Sequence, residues 1–232
     1  MALGLSIKNY HVFASSFAAF LSRAHDQIRM SALSNGNITI CGSHAGVSVG
    51  QDGASQMGLE DIALFRDLPD SKVFYPSDAV STEKLLDLTN QLKGIKYIRT
   101  TRAKTPVIYK KDEKFTLGDF KVIRKSSKDS IVLIGSGITL HECIKAYAKL
   151  KHQNISAAVI DLYCIKPLNI HKLANFIKEH GNKIIIAEDH YSAGGIGEML
   201  AHELLNTGIR IKTLSINKAP HSGTTEELLD KY

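Results

Sequence analysis

Short β-branched or apolar runs alternate with helix-length amphipathic stretches along most of the chain, and that alternation leaves few folds open. Strand–helix–strand order implies parallel sheets with covering helices. Asn37 to Cys41 predicts a strand, followed by a glycine-rich stretch from Gly42 to Gly53 and a helix from about Ser55. Val73 to Tyr75 predicts a short strand stopped by Pro76, Ala79 to Leu92 a helix, and Ile95 to Arg99 another strand. Between Thr105 and Asp119 the pattern lapses into Pro106, the charged run Lys110 to Lys114 and Gly118, which reads as a linker over 109–118. The alternation then restarts, with strands over 130–134, 157–161, 183–188 and 210–216 and helices over 139–150, 170–179 and 196–205. The expected class is α/β: two consecutive open α/β domains with mostly parallel sheets, over 1–108 and 119–232. The second reads as complete. The first shows no opening strand–helix unit, so its sheet is expected to leave an edge and apolar surface exposed, and the isolated chain to associate.

Composition narrows the class of partner. A chain of 232 residues with 44% hydrophobic and 22% charged side chains is long enough to bury a real core and has the balance of a water-soluble protein. No run approaches the apolar length that spans a bilayer, so no membrane partner is expected. The net charge of +6 divides evenly, +3 on residues 1–112 and +3 on 113–232. Nucleic-acid binding would need a clustered basic patch, and none is seen. A mild positive field favours anionic metabolites. Cys41, Cys143 and Cys164 stand far apart without a CxxC pair, which points to reduced thiols and a cytoplasmic location.

Three stretches could carry chemistry. Gly135-Ser136-Gly137, between a strand and a helix, resembles a phosphate-binding turn, but Leu140 stands where a third glycine would be needed, and a tight packing turn is the preferred reading. Gly194-Gly195-Ile196-Gly197 reads as a loop and helix start where small residues permit close backbone approach. The stretch Cys41 to Gln56 is different in kind. Its glycines make it costly to order, and it presents His44, Asp52 and Gln56 beyond a strand end, where ligands bind in open α/β sheets. Asp189-His190-Tyr191 is a weaker constellation with a structural role preferred.

Phe17-Ala18-Ala19-Phe20, Arg23, Asp26 to Met30, the glycine-rich loop, Phe74 to Asp78 and Ile98 to Arg102 resemble the pyrimidine-binding domain of transketolases. Ile165 to Leu168, Glu188 to Tyr191 and Gly194 to Glu198 resemble the C-terminal domain of that family. The resemblance runs in order over nearly the whole chain and is nearest to the animal type. It implies transfer of a two-carbon ketol unit between ketose and aldose phosphates in the pentose phosphate pathway, with thiamine diphosphate as cofactor.

What the resemblance implies for residues is specific. Phe20, with Phe17 beside it, matches a ring-contacting aromatic cluster for the aminopyrimidine. Read without the family, the two would be an (i, i+3) pair inside a buried helix. Gln56 matches a polar residue lining the same cleft. His44 matches a histidine that contacts the sugar and assists proton transfer, Asp52 an acid that accepts from a substrate hydroxyl, and Arg102 an arginine that pairs with the substrate phosphate. The family holds the diphosphate and its Mg2+ on a separate N-terminal domain, through a Gly-Asp-Gly element and a downstream Asn absent here. Its cofactor-activating glutamate would fall a few residues before Met1, and its last helix would run past Tyr232. The expected partner is therefore a homodimer mate or a separate diphosphate-binding chain, and the alternative is a truncated or split-enzyme subunit acting only as an interaction module.

Overall fold

The computed structural model describes residues 1–232. In chain order the elements are α1 (Ala2–Ile7), β1 (Val12–Phe17), α2 (His25–Leu33), β2 (Ile38–Ser43), α3 (Asp61–Arg66), β3 (Lys72–Phe74), α4 (Ala79–Gln91) and β4 (Ile95–Arg99). They continue as β5 (Lys121–Arg124), β6 (Val132–Gly135), α5 (Ile138–His152), β7 (Ala158–Asp161), β8 (Cys164–Lys166), α6 (Ile170–Glu179), β9 (Lys183–Tyr191), α7 (Ile196–Glu203), β10 (Arg210–Ile216) and α8 (Thr225–Lys231). Tight 3-10 turns occupy Ala18–Ala24, Val47–Asp52 and Ala54–Gln56.

Two five-stranded sheets result, ordered β1-β2-β4-β3-β8 and β10-β9-β6-β7-β5. All pairs are parallel except β3–β8 and β5–β7. The α/β class with two mostly parallel open sheets is thus the observed one. The first sheet has the opening unit that its sequence concealed. Val12–Phe17 pairs along its whole length with β2, although its polar, small residues Ala14, Ser15 and Ser16 show little hydrophobic alternation. The helix expected from Ser55 begins only at Asp61. Met57 and Leu59 are both buried with Val47, Val49, Ile216 and Leu228, and residues two apart point the same way only in extended chain.

One buried apolar cluster of 28 side chains runs from Val12 and Ile40 through Phe65, Tyr75 and Tyr97 to Ile134, Ile160, Ile186 and Leu200, so the two sheets share a core. Strand β8 strengthens the union, because it follows the second sheet's β7 in sequence yet pairs with β3 of the first. The turn at Gly135-Ser136-Gly137 is a packing device. Gly137 has φ +56°, and a Cβ there would lie 2.0 Å from the Tyr75 ring. At the β1 edge, Leu3, Ala14, Leu21, Ile28, Met30 and Ile40 line an open apolar cavity of about 450 Å³.

Residues 105–118 form neither helix nor strand, but they are tied down. The Ile108 and Tyr109 amides donate to Asp78 Oδ2 at 2.8 and 3.0 Å, while Asp78 Oδ1 accepts the Ser81 amide and caps α4. Tyr109 and Ser77 hydroxyls donate to Asp161 at 2.6 and 2.8 Å. Burial nevertheless pushes the Asp161 carboxyl from 3.8 up to about 7, against the pull of those two hydroxyls. The folded chain therefore keeps a proton that the unfolded chain has released between those values, and this group's contribution to stability falls as pH rises through that window. Glu188, also lifted to about 7 by burial, acts with the same sign. Asp161→Asn, neutral at every pH, is expected to flatten the pH dependence of urea unfolding between 3.8 and 7. An unaltered slope in the variant would place the titrating group elsewhere.

Candidate active site

Because β1, β2 and β4 are adjacent and parallel, their carboxyl ends lie side by side, with Phe17 opposite Ser43 and Gly42 opposite Arg99. The sequence-predicted residues follow those three ends. Phe17 closes β1, Phe20 lies in the next turn, His44 is the first residue after β2, and Arg102 comes three residues after β4. This is the rim where open parallel sheets bind ligands.

Two groups form there. In the first, the Phe17 ring lies between two partners, parallel to Phe20 at 5.4 Å between centroids and to the His44 imidazole at 3.8 Å. Phe20 remains 47% exposed, so the pair is a solvent-facing aromatic platform and not the buried helical pair that (i, i+3) spacing suggests. His44 has φ +56°, a region that residues with a Cβ avoid. Its Nδ1 sits 3.1 Å from Ser43 Oγ, which leaves Nε2 facing away from the loop's own hydrogen bonds. In the second group, Arg102 Nη1 meets Asp52 Oδ1 at 2.9 Å and also donates to the Val49 carbonyl at 3.1 Å. Both side chains of that pair stay partly exposed. Gln56 joins neither group, since its amide donates only to Ser55 Oγ at 3.4 Å.

Beneath the rim lies a network of which the sequence reading singled out only Asp189, in a structural role, and missed Arg99 and Asp61. Arg99, fully buried, sends Nε to Asp61 Oδ2 at 2.8 Å and Nη1 to Asp189 Oδ1 at 2.6 Å. Its Nη2 donates to the Gly58 and Asp189 carbonyls, both at 3.0 Å. Tyr97 and Tyr75 hydroxyls add to the network, donating to Asp61 Oδ2 at 2.6 Å and to Asp189 at 3.1 Å, while Asp61 Oδ1 is buried without a partner. Burial works to strip Arg99 of its proton, but Asp189 and Asp61 outweigh it and hold the guanidinium charged well beyond its ordinary range. Asp189 belongs to β9, which runs through Glu188, Asp189 and His190 instead of stopping at Glu188. Three ionisable residues in succession within a buried strand were the available signal. Glu188 accepts the amides of Ile196 and Gly197 at 2.5 and 3.3 Å, so the glycine-rich start of α7 holds the protein's own carboxylate.

The site's chemistry divides cleanly. A flat, half-exposed aromatic platform beside an imidazole suits a planar heteroaromatic ring, which gains by stacking and desolvation. No group of three or more His, Cys, Asp or Glu residues is placed to hold a metal ion. No helix is long and apolar enough to cross a membrane.

Comparison with known proteins gives the family. Residues 1–107 match the family model "Transketolase, pyrimidine binding domain", and residues 119–232 match "Transketolase, C-terminal domain". The chain belongs to the transketolase family. It is 49% identical to "Transketolase-like protein 2" of Mus musculus and 46% identical to "Transketolase" of Homo sapiens, in each case across the whole of this chain. It spans only 37% and 38% of the length of those curated relatives. Among solved structures, one described as "Split gene transketolase, inactive beta4 tetramer" matches with a TM-score of 0.91 and 32% identity, covering all of this chain and 74% of that one. The Campylobacter jejuni transketolase shares the fold, with a TM-score of 0.77 at 18% identity over 94% of this chain and 33% of that one.

Two arginines three residues apart therefore differ in kind. Arg99→Met would leave two buried carboxylates unpaired and is expected to cost about 3–5 kcal/mol of stability, read from urea unfolding. Arg102→Ala breaks a partly exposed pair and is expected to cost no more than about 1 kcal/mol. Equal losses would contradict the division into a buried network and a functional rim.

Proposed function

We propose that this chain supplies the pyrimidine-binding and C-terminal parts of a transketolase, which transfers a two-carbon ketol unit from a ketose phosphate to an aldose phosphate in the pentose phosphate pathway. The observation that carries the reading is the arrangement of the Phe20–Phe17–His44 stack and the Arg102–Asp52 pair along the carboxyl ends of β1, β2 and β4. Thiamine diphosphate, when bound, supplies the nucleophilic carbon and the electron sink for ketol transfer. Phe20 and Phe17 offer the surface against which its pyrimidine ring packs. His44 holds or moves a proton at Nε2, the nitrogen turned away from Ser43, toward sugar oxygens. Asp52 accepts from a sugar hydroxyl. Arg102 pairs with the phosphate through its planar, permanently charged fork. Gln56, apart from both groups here, ends the turn at Ala54–Gln56 in the segment that follows His44, and is assigned to the same cleft by the family resemblance.

A diphosphate-binding region outside these residues, carried by a homodimer mate or by a separate chain, would hold the diphosphate and Mg2+. The split-gene relative at 32% identity favours the form with two polypeptides. Three free cysteines fit a reducing compartment such as the cytoplasm.

Two measurements test the reading. Ketol transfer is expected when the chain is mixed with a separately produced diphosphate-binding polypeptide plus thiamine diphosphate and Mg2+, and not from the chain alone. Persistent inactivity of every mixture would favour a purely associating module. In the active mixture, Arg102→Ala should raise the KM for sugar phosphate about 10- to 100-fold, the equivalent of one lost charged hydrogen bond. An unchanged KM would remove Arg102 from the phosphate site.

A further inference from the structure

The Asp189 side chain comes from the C-terminal half and touches none of the groups assigned to substrate or cofactor. Its place beneath the glycine-rich loop gives it a second part to play. We infer that Asp189 is a positioning residue for His44, through which the C-terminal domain sets the geometry of a cleft to which it lends no reacting group. The inference rests on the reading of His44 given above.

Two contacts carry it. The first is direct. Gly46, with φ +77°, lies so close over the carboxylate that a Cβ there would stand 1.8 Å from Asp189 Oδ2. The loop two residues beyond His44 is therefore seated on this oxygen, and only glycine permits the approach. The second runs through Arg99. Its guanidinium is gripped by the Asp189 carboxylate and by the Asp189 main-chain carbonyl, and it delivers Nη2 to the Gly58 carbonyl at 3.0 Å. That same carbonyl accepts the Gly46 amide at 2.8 Å, and the Gly58 amide donates to the His44 carbonyl at 3.3 Å. The Ala45 amide is tied to the Thr100 carbonyl, just past the end of β4, at 3.1 Å.

These ties have something to hold. A residue with a Cβ in the left-handed region costs about 1–3 kcal/mol and persists only where its surroundings over-determine it. His44 is such a residue. Its strained backbone directs the imidazole onto the Phe17 ring at 3.8 Å instead of outward to solvent. The C-terminal half also holds the far end of the loop, where Thr225 Oγ1 of α8 donates to the Ser48 carbonyl at 3.0 Å. Loosening Asp189 is thus expected to release the His44 turn and unstack its ring while the two sheets stay intact.

The His44 ring supplies the readout, because stacking on Phe17 shifts its imidazole proton resonances upfield. Three variants of the chain would be compared by NMR: Asp189→Asn, which removes the charge; Gly46→Ala, which strikes the same contact from the loop side; and Tyr75→Phe, the mildest, which removes one hydroxyl donating to Asp189. His180, paired with Asp129 far from the loop, is the internal control for an intact fold. The expected result is loss of the His44 upfield shift in every variant that retains a cooperative melt, with the His180 resonances unmoved. Unchanged His44 resonances in such a variant would overturn the inference. In the reconstituted enzyme, His44→Ala separates the two readings. If it leaves ketol transfer intact, the assignment of the site fails. If it abolishes transfer while the three variants leave the ring signals unmoved, only the positioning role of Asp189 fails.

Discussion

A single guanidinium with no access to water holds the two halves of this chain in register. Arg99 ends a strand of the first sheet, and the carboxylates that neutralise it come from α3 on one side and from β9 of the second sheet on the other. Taking an arginine and two acids out of water costs several kcal/mol per ion, and attraction offsets that only if geometry is close to ideal. Here every guanidinium nitrogen has a partner at 3.0 Å or less, and a tyrosine hydroxyl donates to each acid, leaving only Asp61 Oδ1 without a partner. Such a network is intolerant of shifts. If β9 slid by one residue, Asp189 would turn to the opposite face and Arg99 would lose its partner.

The strict placement matters because the rim above is built from weak contacts. The Arg102–Asp52 pair is partly exposed, and exposed ion pairs contribute about 0–1 kcal/mol. The phenylalanine platform faces solvent, and His44 stands in a strained conformation. None of these would hold its geometry unaided, so the precision of the cleft is borrowed from the layer beneath. The division is physically sensible. The rim groups stay accessible and loosely paired, while in the buried network beneath them only Asp61 Oδ1 lacks a hydrogen-bond partner.

The shared core has a related consequence. Strand β8 crosses from the second half to the first, and residues 105–118, which include the linker expected over 109–118, are clamped by Asp78 and Asp161. The two family-model regions are thus welded along a broad contact. The apolar cavity at the β1 edge lies on the opposite flank of the first sheet from β8, so the covered edge and the open edge are distinct.

Much of this was legible in the order of residues. The alternation of apolar runs with amphipathic stretches determined the α/β class, because strand and helix periods are local properties of the chain. The glycine-rich loop after a buried strand marked the candidate site, since such a loop is costly unless its backbone must approach something closely. Tertiary structure alone decided the rest. Val12–Phe17 is a strand because β2 lies beside it, not because its own side chains demand it. Phe17 and Phe20 face outward because the chain turns sharply after β1, and Asp52 and Arg102 meet because β2 and β4 happen to be neighbours. Asp189 beneath Gly46 bridges 143 positions of sequence, and Arg99 is the reason the two remain in contact. Periodicity reports what a segment can bury. Which distant carboxylate it buries against depends on the closure of two sheets upon each other, and no local pattern encodes that.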